Sequence, residues 1–148
     1  MNIIQGDVFN CSENTILHQV NCLGVMGSGV ARQVKEKYPE VFNAYYRYCK
    51  THLAKDILGD VLICEADDGK YIANLFGQIG FGSGLQTDYE AFKKAIKGFN
   101  RVATKRGLTI AIPYKIASDR GGADWNIISE IIEKYLKVPH AYYQFEKD

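Results

Sequence analysis

At 148 residues, 47% hydrophobic and 24% charged, the chain has the size and composition of one ordinary globular domain. Such a chain buries roughly 70% of its unfolded surface and needs no disulfide or metal staple. Eighteen Lys and Arg against 17 Asp and Glu give a net charge of +1, which excludes a disordered polyelectrolyte and leaves no overall charge for broad nucleic-acid binding. In chain order, Ile3–Gln5 and Thr15–Val20 read as strands. The spacing of Val30, Val34 and Tyr38 predicts a helix over 30–37, stopped at Pro39. Residues 41–51 read as an aromatic-rich turn or helix. Asp60–Glu65 and Tyr71–Leu75 read as a hairpin across Asp67-Asp68-Gly69. Thr87 or Asp88 caps a long helix reaching about Lys105, with Gly107 as its stop. Leu108–Ile112 reads as a buried strand. Asp124 or Trp125 opens a last helix through Leu136, with Ile127, Ile128, Ile131 and Ile132 facing inward, and 141–145 closes the chain.

This alternation of strands and helices, with no repeat or linker, predicts a single domain over 1–148. Its expected fold is a three-layer α/β/α arrangement around a mixed, largely parallel sheet. Met1–Asp7 carries neither the basic nor the apolar region of a secretory signal, and no apolar run approaches the ~20 residues that span a bilayer. A cytoplasmic monomer, off the membrane, is the expectation. The four cysteines (11, 22, 49 and 64) and three histidines form no zinc spacing, so reduced thiols are expected, with no metal and no cofactor.

Glycine is the one compositional excess: 14, against 3 prolines. Nine fall in three clusters: Gly24, Gly27 and Gly29; Gly77, Gly80, Gly82 and Gly84; Gly121 and Gly122. Each follows a predicted strand and leads into a helix, where bare backbone amides and a helix N-terminus can meet a phosphate. The common cradles are absent. Gly24 and Gly29 have P-loop spacing, but Val30-Ala31 follow in place of Lys and Ser/Thr, and no GxGxxG occurs.

Gly6-Asp7-Val8-Phe9, then Val20-Asn21-Cys22-Leu23-Gly24-Val25-Met26-Gly27-Ser28-Gly29-Val30-Ala31, resemble the opening of a macro domain. Ile112-Pro113-Tyr114-Lys115-Ile116 and Gly121-Gly122-Ala123-Asp124-Trp125 are similar to its second ligand loop. The nearest subgroup is that of ADP-ribose-1''-phosphate phosphatases and terminal ADP-ribose protein glycohydrolases. The resemblance implies ADP-ribose, free or on an ADP-ribosylated substrate, as partner. It assigns Asp7 to the adenine amino group, Val8 to backbone contacts nearby, and Tyr143 or Phe145 to stacking on adenine. Asn21 is placed at the distal ribose. Loop one, with Gly27, Ser28, Gly29 and Val30, would wrap the ribose and diphosphate. Loop two, with Ser118, Gly121 and Gly122, would offer amides to the diphosphate. A Cβ added at Gly27, Gly29, Gly121 or Gly122 is expected to weaken binding.

The sequence also departs from the family pattern. The glycohydrolase branch attacks the anomeric carbon with a lysine, yet Asn74-Leu75-Phe76-Gly77-Gln78 occupies that stretch and no lysine stands between Lys70 and Lys93. The branch's loop-two acid aligns with Gly121, and Ala117-Ser118-Asp119 replaces Gly-Cys-Gly or Gly-Ser-Gly. A Schiff-base route is thereby disfavoured. The remaining acid/base candidates are Asp119, which also reads as a loop-capping acid, and Asp124, which also reads as an N-cap. His18, in a buried strand, reads as a core histidine before a proton shuttle. The expected activity is hydrolysis of an ADP-ribose derivative, a 1''-phosphate or an ADP-ribosyl linkage, by metal-independent water attack, with Asn21 fixing the ribose. The alternative is a reader without turnover.

Overall fold

The computed structural model describes residues 1–145. Six strands form one sheet: β1 (Ile3–Gln5), β2 (Thr15–Val20), β3 (Val61–Glu65), β4 (Tyr71–Phe76), β5 (Ile110–Pro113) and β6 (His140–Gln144). Their order is β1-β6-β5-β2-β4-β3, and only the β3–β4 pair is antiparallel. The helices are α1 (Gly29–Lys37), α2 (Pro39–Thr51), the single turn α3 (Ala54–Ile57), α4 (Tyr89–Arg106) and α5 (Trp125–Tyr135), with a 3₁₀ turn at Val8–Asn10.

Strand alternation divides the core into two layers. Leu17, Leu75, Ile110, Ile112 and Tyr142 face α4 and α5, against Phe92, Ile96, Phe99, Ile128 and Ile132. Ile16, Val20, Ile72, Phe76, Ala111 and Tyr143 face α1 and α2, against Val34, Val41 and Tyr45. The helix ends follow local chemistry. Asp88 caps α4 by accepting from Ala91 N at 3.0 Å, and Gly107, at φ +65°, ends it. Pro39 takes the first position of α2, where a missing N–H costs nothing, so the segment expected from residue 41 starts two residues earlier as a full helix.

Two features depart from what the sequence predicts. Ile127 is 39% exposed, because the inward stripe of α5 is carried by Ile128 and Ile132, four apart. The turn Ala54–Ile57 shows no periodicity of its own and is held by burial of Ile57.

Four of the five sheet pairings are parallel, so β1, β6, β5, β2 and β4 all present their carboxyl ends along one crest. The three glycine clusters lie in the loops leaving β2, β4 and β5 on that crest. Loops at this end of a parallel sheet are where α/β folds seat ligands.

Candidate functional site

Loop one, loop two and the segment after β4 enclose a cleft of about 410 Å³, within the range of small-molecule sites. Val25, Gly27, Ser28 and the first turn of α1 form one wall. Residues 113–117 and 119–121 form the facing wall, and Gln78, Phe81 and Gly82 border the end above β4. His18, Gln19, Val20 and Asn21 supply the floor from β2.

Asn21 shapes loop one. Its Oδ1 accepts from Leu23 N at 3.0 Å, Val25 N at 3.4 Å and Tyr45 Oη at 2.8 Å, and its Nδ2 donates to Val25 O at 2.8 Å. One amide N–H is left for a ligand. Burial pushes the Tyr45 phenol well up, so it stays a donor, and it reaches Asn21 O at 2.8 Å as well.

The start of α1 is built for an anion. Ser28 occupies the N-cap with extended backbone, but its side chain caps nothing, and no acidic residue stands in the first turn. The bond from Arg32 N to Ser28 O is the first of the helix, so the amides of Gly29, Val30 and Ala31 precede the ladder at the positive end of the helix dipole.

Across the cleft, loop two is a tight turn in which Lys115 and Ala117 adopt left-handed φ of 62° and 66°. Each such non-glycine residue stores strain of order 1 kcal/mol. Turn bonds run from Ser118 N to Lys115 O, Gly122 N to Asp119 O and Ala123 N to Ala117 O. Among the described residues the Asp119 carboxylate has no hydrogen-bond partner and Arg120 no ion pair. The Arg120 stem lies 3.3 Å from where a Cβ on Gly29 would sit, so the two loops meet over the cleft.

A polar chain beneath loop two fixes it to the sheet. Gln19 Nε2 donates to Gln78 Oε1 at 2.7 Å and to Thr87 Oγ1 at 2.9 Å, and the Thr87 hydroxyl donates to Ala117 O at 3.0 Å. The amides of Gln86 and Thr87 both donate to Gly121 O at 2.9 Å. A Cβ on Gly121 would run into Ala117 O and Thr87 Oγ1, and one on Gly122 into Gly84 O. These two glycines are therefore required by packing. Gly27, by contrast, would place its Cβ 3.5 Å from Val25 Cγ1, an ordinary contact.

His18 is buried, with Nε2 bonded to Asn74 Oδ1 at 2.7 Å and Nδ1 unpartnered. Asn74 Nδ2 donates to Leu62 O at 2.9 Å, which leaves Oδ1 as acceptor and puts the proton on His18 Nε2. Burial lowers its pKa to about 4, opposed by the bond to Asn74, so the ring is neutral. Among the described residues no three His, Cys, Asp or Glu side chains are grouped to hold a metal.

Of the residues singled out in the sequence, the cleft gathers Asn21, Gly27, Ser28, Gly29, Val30, Asp119 and Gly121. Gly122 borders an adjoining open depression with Asp119, Arg120 and residues 82–85. The Ser118 hydroxyl turns back to Ile116 O at 3.3 Å. Asp124 caps α5, accepting from Asn126 N at 2.9 Å, and is not part of the cleft wall. Asp7 caps the Val8–Asn10 turn through Phe9 N at 3.0 Å, and Val8 is buried. Tyr143 is buried and donates to Glu13 Oε1 at 2.5 Å, whereas Phe145 is 60% exposed. These last four stand at or just beyond the carboxyl ends of β1 and β6, in line with the cleft. Gln19, Phe81 and Arg120 also line the cleft without being singled out by the sequence pattern, in which Gln78 reads only as an absent lysine. A glutamine inside an apolar strand was the one available signal.

A family model described as the macro domain matches residues 17–132. The chain belongs to the macro domain family. It is 26% identical over 139 residues to a DNA ADP-ribosyl glycohydrolase of Mycobacterium tuberculosis, covering 90% of this chain and 38% of that protein. It is 38% identical over 50 residues to an ADP-ribose 1''-phosphate phosphatase of Aspergillus oryzae, a match covering 33% of this chain and 25% of that protein. This macro domain thus spans well under half the length of these relatives. The macrodomain of Mycobacterium tuberculosis DarG superposes with a TM-score of 0.82 at 25% identity, covering 96% of this chain and 95% of that one. Thermosipho africanus DarTG, solved in complex with ADP-ribose, shares the fold at a TM-score of 0.78 and 22% identity, covering 97% of this chain and 41% of that one.

Proposed function

We propose that the cleft binds ADP-ribose and that the chain hydrolyses an ADP-ribose derivative, a 1''-phosphate or an ADP-ribosyl linkage, by attack of water without a metal. The observation that carries the reading is the uncapped, acid-free start of α1 facing loop two across a 410 Å³ cleft. The diphosphate lies between the α1 amides and loop two, with Arg120 above it. The distal ribose points toward Gln78 and Phe81. Adenine extends along the crest toward Asp7, Val8, Tyr143 and Phe145. Relatives named for ADP-ribosyl and 1''-phosphate hydrolysis support the class of reaction.

Asp119 is the residue for the chemistry, because it is the carboxylate in the cleft wall with no bond to the fold. It takes a proton from water as the water attacks the reacting centre, and the leaving group departs. Asn21 holds the ribose with its remaining N–H. Asp124, engaged at the helix start, positions loop two. The amide of Gln78 cannot form a Schiff base, which disfavours a lysine-dependent route at that position.

Gln78 also favours a second reading, a module that binds ADP-ribose without turnover. Two measurements separate the outcomes. ADP-ribose at 100 times its dissociation constant adds about 2.7 kcal/mol, a rise of roughly 5–11 °C in melting temperature for a domain near this size. No rise at millimolar ligand refutes both readings. Incubation with ADP-ribose-1''-phosphate and with ADP-ribosylated protein or DNA, followed by product analysis, then distinguishes hydrolase from reader.

A further inference from the structure

The net charge of +1 averages over unequal faces. Helix α4 carries six cations against a single acid, Glu90. Four of the six, Lys93, Lys97, Arg101 and Lys105, recur at every fourth residue and form a stripe with a step of about 6 Å along the axis. Like charges at this spacing cost a helix a few tenths of a kcal/mol per pair. Among the described residues no ion pair offsets it. Lys97, Arg101 and Lys105 are exposed and Lys93 is half-buried.

Where α4 meets α5 the charge is concentrated further. The ammonium groups of Lys97, Lys134 and Lys93 stand 4.7, 5.3 and 5.8 Å from the ring centroid of Tyr135. Cation–π attraction of about 0.5–1 kcal/mol each holds them over one ring. Among the described residues no carboxylate answers them, the salt bridges being Arg32–Glu36 and Glu133–His140. Glu133 is committed to the Tyr142 hydroxyl and His140, while Glu90 and Glu130, on the same two helices, reach no lysine within 4 Å. The arrangement is fixed by the fold, since Lys137 N donates to Asn100 Oδ1 at 2.8 Å and ties the end of α5 to α4.

We infer that the α4–α5 face, with Lys93, Lys97, Arg101 and Lys134 at its centre, docks the phosphodiester backbone of a single nucleic-acid strand. A linear polyanion with regularly repeated charge complements a cationic stripe with a helical-turn repeat, and it relieves the mutual repulsion of the three ammonium groups at Tyr135. The face is separate from the cleft, whose wall includes none of these residues. A local stripe of this kind is compatible with a near-neutral chain, because its field is screened beyond about 10 Å at 0.1 M salt.

The test is fluorescence anisotropy of a labelled 12-nucleotide single-stranded DNA against the full chain at 50 and 200 mM salt. Wild type is expected to bind at the lower salt and to weaken at the higher. The variant Lys93→Gln/Lys97→Gln/Lys134→Gln is expected to bind at least tenfold more weakly, with a salt slope shallower by about 2, from 0.7 per lost phosphate contact. A charge-matched variant elsewhere, Lys35→Gln/Lys50→Gln/Lys55→Gln, is expected to change binding less than threefold. Should the first variant fail to melt cooperatively, Arg101→Gln/Lys105→Gln replaces it, with a fivefold weakening expected. Absence of binding at 50 mM salt, equal losses in the charge-matched variant, or displacement by polyglutamate as effective per charge as by DNA would each overturn the inference.

Discussion

Acidification probes the floor of the cleft through one side chain. In the unfolded chain His18 titrates near 6.5, whereas burial in the fold lowers its pKa to about 4. Between those values the unfolded state binds a proton that the folded state refuses, so the contribution of His18 to stability is full above pH 6.5 and is lost as pH falls toward 4. The loss works out at about 1 kcal/mol at pH 5.5 and about 2–3 kcal/mol at pH 4.5, close to its ceiling. For a domain near this size the value at pH 4.5 corresponds to a fall of roughly 5–10 °C in melting temperature.

Carboxylates titrate in the same window, so the informative quantity is a difference. In His18→Gln an amide can donate to Asn74 Oδ1, as Nε2 does at 2.7 Å, and has no proton to gain. Between about pH 7.5 and 4.5 the melting temperature of wild type is expected to fall roughly 5–10 °C further than that of the variant. Parallel curves would refute the assignment of a neutral, proton-refusing His18.

The remaining predictions concern the loops and the chemistry. Gly121→Ala, whose Cβ meets backbone at Ala117 and the Thr87 hydroxyl, is expected to cost about 2–3 kcal/mol, while Gly27→Ala stays within about 0.5 kcal/mol; thermal melts of both check this. Tyr45→Phe removes the donor shared by Asn21 O and Oδ1, and is expected to lower stability by about 1–3 kcal/mol in urea titrations and to weaken ADP-ribose binding through loop one. Asp119→Asn is expected to lower the turnover of a hydrolysed substrate at least about 100-fold, with ADP-ribose affinity held within threefold by calorimetry. An unchanged rate would remove Asp119 from the mechanism.

The fold was legible because its signals are local. Alternation between Ile16 and Leu17, or Ala111 and Ile112, assigns each residue to one of two layers, and Asp88, Gly107 and Asp124 mark helix ends by their own chemistry. The site was legible where it is backbone, in the glycine-bearing loops. It was opaque where side chains from distant positions meet. No spacing rule brings Gln19 to Thr87, 68 residues away, or lays the Arg120 stem against Gly29. The charge distribution was hidden for the same reason. A sum over the chain gives +1, whereas the convergence of Lys93, Lys97 and Lys134 on Tyr135 exists only after α5 packs on α4.

The glycine excess resolves into two different physical demands. Gly29 and its neighbours leave amides bare at the cleft, and there a side chain would compete with a ligand. The cluster from Gly77 to Gly84 answers the second demand. A Cβ on Gly77 would run into Gln19 Oε1, and Gly84 O fills the space that a Cβ on Gly122 would need. That segment therefore acts as the shelf on which loop two rests, bonded to it by Gln86 and Thr87 at Gly121 O. Glycine is needed at Gly77, Gly121 and Gly122 because one loop packs on another, so their substitutions act on the ligand through the position of loop two. Binding and stability are expected to fall together there and at Gly29, whose φ of +61° strains any residue with a Cβ, and to separate only at Gly27.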